Sequence, residues 1–152
     1  MKPDRRTAAA APLRAIDSVE VTARLRGLAV AAGKTVTRRD PYLAGHFPEL
    51  TVYPGVFIIE SLRQAVAAAA GTCADRLPEV HILHSARFLA PLLDGDTFTL
   101  HAELGPVQAD DAFEVRAQCV RHDGVVAARF HARFRWTHPA GPVPDAEVPD
   151  AT

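Results

Sequence analysis

Residues 54–71 read PGVFIIESLRQAVAAAAG, and this stretch predicts the central element of the fold. Pro54 suits the start of a helix, where a missing N–H costs little, and Gly71 suits the position just past a helix end. Between Val56 and Ala70 neither residue type recurs, and alanine, a strong helix former, is abundant. Since this segment is apolar nearly all round, it predicts a buried helix over 56–70.

Much of the remaining chain alternates apolar with polar residues, which is the two-residue period of half-buried strands. The alternation predicts strands over 19–26, 97–104, 113–119 and 126–136, and a further strand is expected over 80–88. Asp123-Gly124 tolerates the positive φ of tight turns and predicts a hairpin. One long helix with several antiparallel strands indicates an α+β fold, a curved antiparallel sheet wrapped around a central helix. The open edges of such a sheet favour pairing with a second copy.

Length, charge and hydropathy narrow the class of protein. The 152 residues suit one domain, and the formal net charge of −1 gives no basic field for nucleic acid or an anionic membrane. The apolar runs are too short for a membrane span or a signal peptide, so a cytoplasmic location is expected. Cys73 and Cys119 lack metal-ligand or redox spacing. We expect one domain over 16–137, a disordered segment at 1–15 and a disordered proline-rich tail at 138–152.

The candidate catalytic residues lie in and just after the loop that precedes the helix. His46 stands among prolines and glycines, Glu60 lies in the second helical turn, and Gln64 follows four residues later on the same face. Burial of a carboxylate in an apolar helix predicts a raised pKa, which a catalytic acid needs. The Gly55 N–H stands at the helix N-terminus, where free donors and the helix dipole favour developing negative charge. A base, an acid and an oxyanion donor therefore fall within one short segment.

This stretch resembles the signature of the β-hydroxyacyl-ACP dehydratases of fatty acid synthesis, whose domains have the hotdog fold. Gly45-His-Phe-Pro48 is followed by Pro54-Gly55, and then by Glu60 and Gln64, at the family's spacing. A second stretch, 86–96, resembles the family's strand and turn after the helix, with Ala-Arg-Phe, Pro and Gly-Asp in order. The resemblance implies a hotdog fold and a divergent member of the family, serving a fatty acid, polyketide or other specialised acyl pathway. The sequence departs from the usual pattern at Glu49 and Thr51 in the loop, Tyr53 beside the helix start and Arg63 on the helix. The family's usual N-terminal His-Arg-Tyr-Pro-Phe stretch is also missing.

The resemblance implies a dehydration that needs no cofactor and no metal. His46 would remove the C2 proton of a 3-hydroxyacyl thioester, and Glu60 would assist departure of the 3-hydroxyl. The Gly55 N–H would polarise the thioester carbonyl, and Gln64 would orient Glu60. In this family the histidine and the acid of one site come from opposite protomers, so the resemblance implies a homodimer, or a heterodimer with a related hotdog subunit.

The resemblance also implies a substrate tunnel and a partner protein. The acyl chain would arrive on the phosphopantetheine arm of an acyl carrier protein and enter a tunnel along the dimer interface. The residues expected to line or gate this tunnel are Phe47, Tyr53, Val56 and Phe88. The residues expected to dock the acidic carrier protein are Arg87, Arg129 and Arg133.

Other interpretations of these residues stay open. His46 could cap a loop, and Glu60 could form a structural ion pair with Arg63. The chain could then be a non-catalytic or half-catalytic hotdog subunit that binds acyl chains beside a related protein. It could also be a hotdog thioesterase, which would hydrolyse the thioester and not dehydrate it.

The remaining histidines predict no metal site. His81 and His84 stand an odd number of residues apart on one strand, so they are expected on opposite faces of the sheet. His101 and His131 are expected at outward, solvated strand positions.

Overall fold

The computed structural model describes residues 13–43, 49–71 and 76–137. These ranges form six strands and one helix, in the order β1 (Ser18–Arg24), β2 (Gly27–Thr35), α1 (Gly55–Ala70), β3 (Leu77–Phe88), β4 (Thr97–Leu104), β5 (Ala112–Arg121) and β6 (Val126–Thr137). The strands form a single antiparallel sheet in the order β1-β2-β4-β5-β6-β3. This is the predicted α+β hotdog arrangement, and it leaves β1 and β3 as open edges.

Helix α1 begins and ends where its flanking residues predict. Pro54 caps the start in an extended conformation, and Gly71 closes the end at φ 73°. The side chains buried against the sheet follow a helical stripe: Ile58, Ser61, Leu62, Ala65 and Val66. The opposite face, which carries Glu60 and Arg63, stays only partly covered in a single chain. The predicted burial of the helix therefore holds on the side that faces the sheet.

The core lies between α1 and the concave face of the sheet. Its largest buried side chains include Phe98, Phe134, Leu62, Leu92 and Leu100. Full burial of one such side chain contributes about 1.5–3 kcal/mol, so this layer accounts for much of the stability. Cys119 belongs to it as a buried free thiol, and burial raises its pKa to about 12. Cys119 thus packs as a small apolar residue.

Strand β2 is an element that the sequence pattern does not reveal. Small residues stand on both of its faces, with Ala29 and Ala31 on one side and Ala32 on the other, so the apolar alternation disappears. Its position is instead fixed by neighbours, since it pairs with β1 on one side and β4 on the other. Gly27 begins the strand at φ 124°, where a Cβ would lie 1.9 Å from the Leu104 carbonyl oxygen. Only glycine fits there.

Two expectations fall largely outside the described residues. Of the segments expected to be disordered, 1–15 and 138–152, the structure describes only 13–15, and for these three residues the expectation is wrong. The described chain begins at Leu13, and Ala15 is already buried. Within the three described ranges, no helix has the length and apolar character required to cross a bilayer.

Candidate active site

The N-terminal turn of α1 opens into a cleft. The cleft has a volume of about 670 Å³ and is lined by residues 52–56 at the helix start and 88–92 after β3, with Ile58 and Ile59. The first N–H groups of a helix have no acceptor within the helix, so the amides near Gly55 can donate to a ligand here. Three of the four residues predicted to line a tunnel, Tyr53, Val56 and Phe88, lie along this cleft.

Gly55 is required by close packing against the end of β3. A Cβ at this position would lie 2.9 Å from two ring carbons of Phe88. This separation is well inside van der Waals contact, so any larger residue would push the ring out of place. The absence of a side chain therefore keeps the helix start close to the aromatic wall of the cleft.

Tyr53 forms the inner wall of the same cleft. Its ring is almost completely buried and packs edge-on against Phe57 at a centroid distance of 5.6 Å. The Ser61 hydroxyl has one proton, which it can donate to the Ala15 carbonyl at 2.7 Å. The Tyr53 hydroxyl, 3.3 Å from Ser61 Oγ, then acts as the donor in that pair. Burial raises the pKa of Tyr53 to about 12, so the phenol is neutral at physiological pH.

Glu60 and Gln64 meet one helical turn apart, as their spacing predicts. Gln64 Nε2 donates to Glu60 Oε1 at 3.0 Å and to the Leu13 carbonyl at 2.7 Å. Gln64 Oε1 accepts from the Ala15 N–H at 2.9 Å. Both ends of the amide are therefore fixed by the segment that precedes β1, and this fixes the direction from which Gln64 approaches the carboxylate.

Glu60 also accepts a bidentate ion pair from Arg63. Arg63 Nε lies 2.9 Å from Glu60 Oε2, and Arg63 Nη2 lies 2.7 Å from Oε1. The hydrogen bond from Arg63 lowers the pKa of Glu60, with help from Gln64, and outweighs the opposing effect of burial. The raised pKa expected from an apolar helix is therefore wrong for the single chain, and the alternative interpretation, an ion pair between Glu60 and Arg63, is present in the structure.

The predicted base, His46, and the tunnel residue Phe47 lie outside the described residues. The distance from His46 to Glu60 therefore stays a prediction, as does the contribution of Phe47 to the cleft.

The three arginines predicted to dock a carrier protein occupy the outer face of the sheet in two different settings. Arg87 on β3 stands directly opposite Arg129 on β6. These two share a shallow groove of about 490 Å³ with Arg116 and His101. Arg133 is instead paired with Asp110 at 2.7 Å, so its charge is largely compensated.

The same outer face brings together three side chains that the sequence did not connect. His131 Nε2 lies 3.0 Å from Glu114 Oε2, and the ring of His131 packs against His84 at a centroid distance of 4.5 Å. The expectation that His131 is simply solvated is therefore wrong. The sequence holds no signal for this grouping, because it depends on the register of three strands.

Comparisons with known proteins agree with this fold. The family model described as ApeI-like, ApeI dehydratase, matches residues 24–128. A 3-hydroxyacyl-(acyl-carrier-protein) dehydratase FabZ from Ruminiclostridium cellulolyticum is 34% identical over 119 residues, which cover 73% of this chain and 79% of that protein. The FabZ protein of Chlamydia abortus is 34% identical over 96 residues, or 60% of this chain and 62% of the relative.

Solved structures support the fold independently of these sequences. A hot-dog-like protein from Thermanaerovibrio acidaminovorans superposes with a TM-score of 0.61 at 14% identity, over 75% of this chain and 84% of that chain. The family model covers α1, β3 and the cleft between them, which are the elements that carry Gly55, Glu60 and Gln64. The chain therefore belongs to the ApeI-like family of hotdog dehydratases.

Proposed function

We propose that this protein dehydrates 3-hydroxyacyl thioesters carried on an acyl carrier protein to trans-2-enoyl thioesters, in fatty acid or polyketide biosynthesis. The observation that carries the proposal is one helix, α1, which presents free amide donors to an apolar cleft at its start and a Glu60–Gln64 pair one turn later. Membership of a dehydratase family and the similarity to FabZ proteins support the same reaction.

Each proposed role follows from the chemistry of the reaction. His46 takes the C2 proton, and the Gly55 N–H donates to the thioester oxygen as negative charge develops there. Glu60 gives a proton to the 3-hydroxyl, which leaves as water, and Gln64 positions Glu60. The products are the trans-2-enoyl thioester and one water molecule, so no cofactor is required.

Glu60 needs a change of surroundings to act as an acid. In the single chain the Arg63 pair lowers its pKa, and Glu60 lies on the face of α1 that points away from the sheet. Coverage of this face by a second protomer would remove water from Glu60, and desolvation raises the pKa of a carboxyl. Assembly would in this way shift Glu60 towards the protonated form that the reaction needs.

We infer that the second protomer binds along β3. This edge strand exposes Ile82 and Leu83, at 43% and 40% of their full surfaces, and it leads directly to Phe88 in the cleft. An unpaired edge with apolar side chains favours pairing with another strand. Pairing of two copies through β3 forms a homodimer in which His46 of one chain can approach Glu60 of the other.

The carrier protein is proposed to dock at Arg87 and Arg129. These two face each other on neighbouring strands, and Arg87 directly precedes Phe88, so the basic groove lies near the cleft. Two adjacent cations suit the acidic surface and phosphopantetheine phosphate of a carrier protein. Arg133 contributes less to this docking, since Asp110 and Glu114 already pair with it.

The decisive experiment follows a purified 3-hydroxyacyl-ACP by mass spectrometry. We expect loss of one water and its reversal from the enoyl form, with both directions abolished by His46→Ala and by Glu60→Gln. His122→Ala, which changes an exposed histidine in the turn between β5 and β6, away from the cleft and from β3, serves as the matched control and retains activity. Release of free carrier thiol would instead identify a thioesterase. Turnover only after addition of a related hotdog subunit would identify half of a heterodimer.

A further inference from the structure

Three adjacent strands place two imidazoles around one carboxylate on the outer face of the sheet. Glu114 on β5, His131 on β6 and His84 on β3 offer one ligand atom each, and these atoms all lie within 4.8 Å of one another. Glu114 Oε2 lies 3.0 Å from His131 Nε2 and 3.4 Å from His84 Nε2. The cluster lies on the opposite side of the sheet from α1, so the proposed dehydration does not use it.

A bulge in β3 makes this cluster possible. The pairing of β3 with β6 shifts register between Leu83 and Ser85, which leaves His84 without a partner in the ladder. Ser85 then takes the place opposite His131, and the extra residue can turn its side chain to the outer face. Bulges of this kind commonly redirect a side chain towards a functional site.

We propose that His84, Glu114 and His131 bind a divalent transition-metal ion of the zinc class. A tetrahedral zinc site with bonds of about 2.0–2.2 Å separates its ligand atoms by about 3.3 Å. The two distances from Glu114 Oε2 to the histidines, 3.0 and 3.4 Å, bracket that separation. A site of two imidazoles and one carboxylate favours zinc, nickel or cobalt over magnesium or calcium.

Neighbouring charged side chains orient the Glu114 carboxylate for metal binding. Arg133 Nη1 donates to Glu114 Oε1 at 3.3 Å, on the oxygen that does not face the histidines. The other end of Arg133 is engaged by Asp110 Oδ2 at 2.7 Å, which offsets its positive charge. Contacts of this kind fix the direction of a ligating carboxylate, and they are typical of metal sites.

A bound ion would join the edge strand to the interior of the sheet. His84 is supplied by the edge strand β3, His131 by its neighbour β6, and Glu114 by β5, one strand further in. The site would therefore fasten β3 to β6 and β5 through three metal–ligand bonds, with a fourth position open to water. Its role would be structural, and the open position faces solvent.

Metal titration of the full chain, without a histidine tag and after treatment with a chelator, tests the site. We expect one Co²⁺ per chain with visible ligand-field absorption, and displacement of Co²⁺ by Zn²⁺. His84→Ala and His131→Ala should each weaken binding by about tenfold or more, and Glu114→Gln should do the same while keeping the size of the side chain. His81→Ala is the matched control, because His81 lies on the same strand outside the cluster.

Thermal unfolding gives a second readout that does not depend on dehydratase activity. Zn²⁺ should raise the melting temperature of the wild type and of His81→Ala, because it binds the folded chain, and should leave Glu114→Gln unchanged. Unchanged affinity in the His84 and His131 variants would overturn the proposal, since the ion would then be bound elsewhere. Failure of the wild type to bind either ion in a saturable way would overturn it as well.

Discussion

At the scale of single residues, Arg63 controls the protonation of the proposed catalytic acid. Its hydrogen bonds hold the pKa of Glu60 below the usual range. If protonated Glu60 is the active form, activity falls as pH rises through that pKa. Removal of the guanidinium in Arg63→Met should therefore move this limb of the kcat/KM profile to higher pH. A pH series with a 3-hydroxyacyl-ACP substrate measures the shift.

A variant of Glu79, the second carboxylate near Arg63, separates the loss of the Glu60–Arg63 pair from a general change of charge. Arg63 Nη1 also lies 3.9 Å from Glu79, so Glu79→Gln removes one negative charge nearby but keeps the pair with Glu60. This variant should leave the limb where it is. A limb that stays fixed in Arg63→Met would mean that a group other than Glu60 limits the reaction.

Tyr53 is expected to set the width of the cleft. Its buried ring lines the cleft beside the helix start. Tyr53→Leu shortens that wall, so a branched 3-hydroxyacyl substrate should gain about tenfold in kcat/KM relative to a linear one. Tyr53→Phe keeps the ring and loses only the bond to Ser61, so it should cost about 1 kcal/mol of unfolding free energy with no change in preference. Equal substrate ratios in all three proteins would contradict the gating role.

At the scale of elements, the start of α1 and the end of β3 depend on each other through Gly55 and Phe88. Gly55→Ala forces the Phe88 ring away from its place, and this ring is 52% exposed and can move into the cleft. We expect a small loss of stability, about 1 kcal/mol, and a larger loss of kcat/KM. Denaturant unfolding and steady-state kinetics measure the two effects separately.

The double variant Gly55→Ala/Phe88→Leu tests whether the clash is the cause. A leucine at position 88 leaves room for the new methyl group, so it should recover activity relative to Gly55→Ala. If Phe88→Leu brings no recovery, the loss comes from the altered helix start itself, and the packing explanation is wrong.

Elements whose ends carry proline or glycine could be predicted from the sequence. Elements whose position depends on pairing with distant strands could not. Pro54 and Gly71 mark the helix ends, and Gly124, at φ 87°, makes the hairpin turn between β5 and β6. Strand β2 was not predicted, because its small residues stand on both faces and remove the alternation of apolar and polar residues. The strand-parity rule applied to His81 and His84 assumes a regular ladder, and register shifts interrupt the ladder beside both residues. A bulge depends on pairing between strands, and no local pattern records it.

The candidate site shows the same division. The spacing of Glu60 and Gln64 on one helix fixed their contact in advance, because residues four apart share a face. The pKa of Glu60 could not be obtained in this way, since it depends on which rotamer Arg63 adopts and how much water reaches the pair. The grouping of His84, Glu114 and His131 required the register of three strands, which follows only from the whole sheet.

At the scale of the whole molecule, the two edges of the sheet are not equivalent. β3 has 12 residues and β1 has 7, although both expose apolar side chains. Only β3 leads into the cleft, so pairing along it brings two cleft regions and two α1 helices towards each other. The proposed dimerisation through β3 would therefore cover the open edge of the sheet and serve the proposed chemistry.

A lysine on each edge distinguishes the two possibilities. Ile82→Lys places a charge on the β3 edge, where the native side chain is 43% exposed, and should weaken self-association by about tenfold or more, or about 1.4 kcal/mol. Val21→Lys changes a residue of nearly equal exposure, 42%, on the β1 edge and should leave association intact. Light scattering across a concentration series measures both.

Because His46 and Glu60 of one site are proposed to come from different chains, Ile82→Lys should lose activity in proportion to the loss of dimer, while circular dichroism stays native. A fully active monomer would show that one chain contains the whole site, and the proposal of a shared site would then fail even if the dehydration itself is correct.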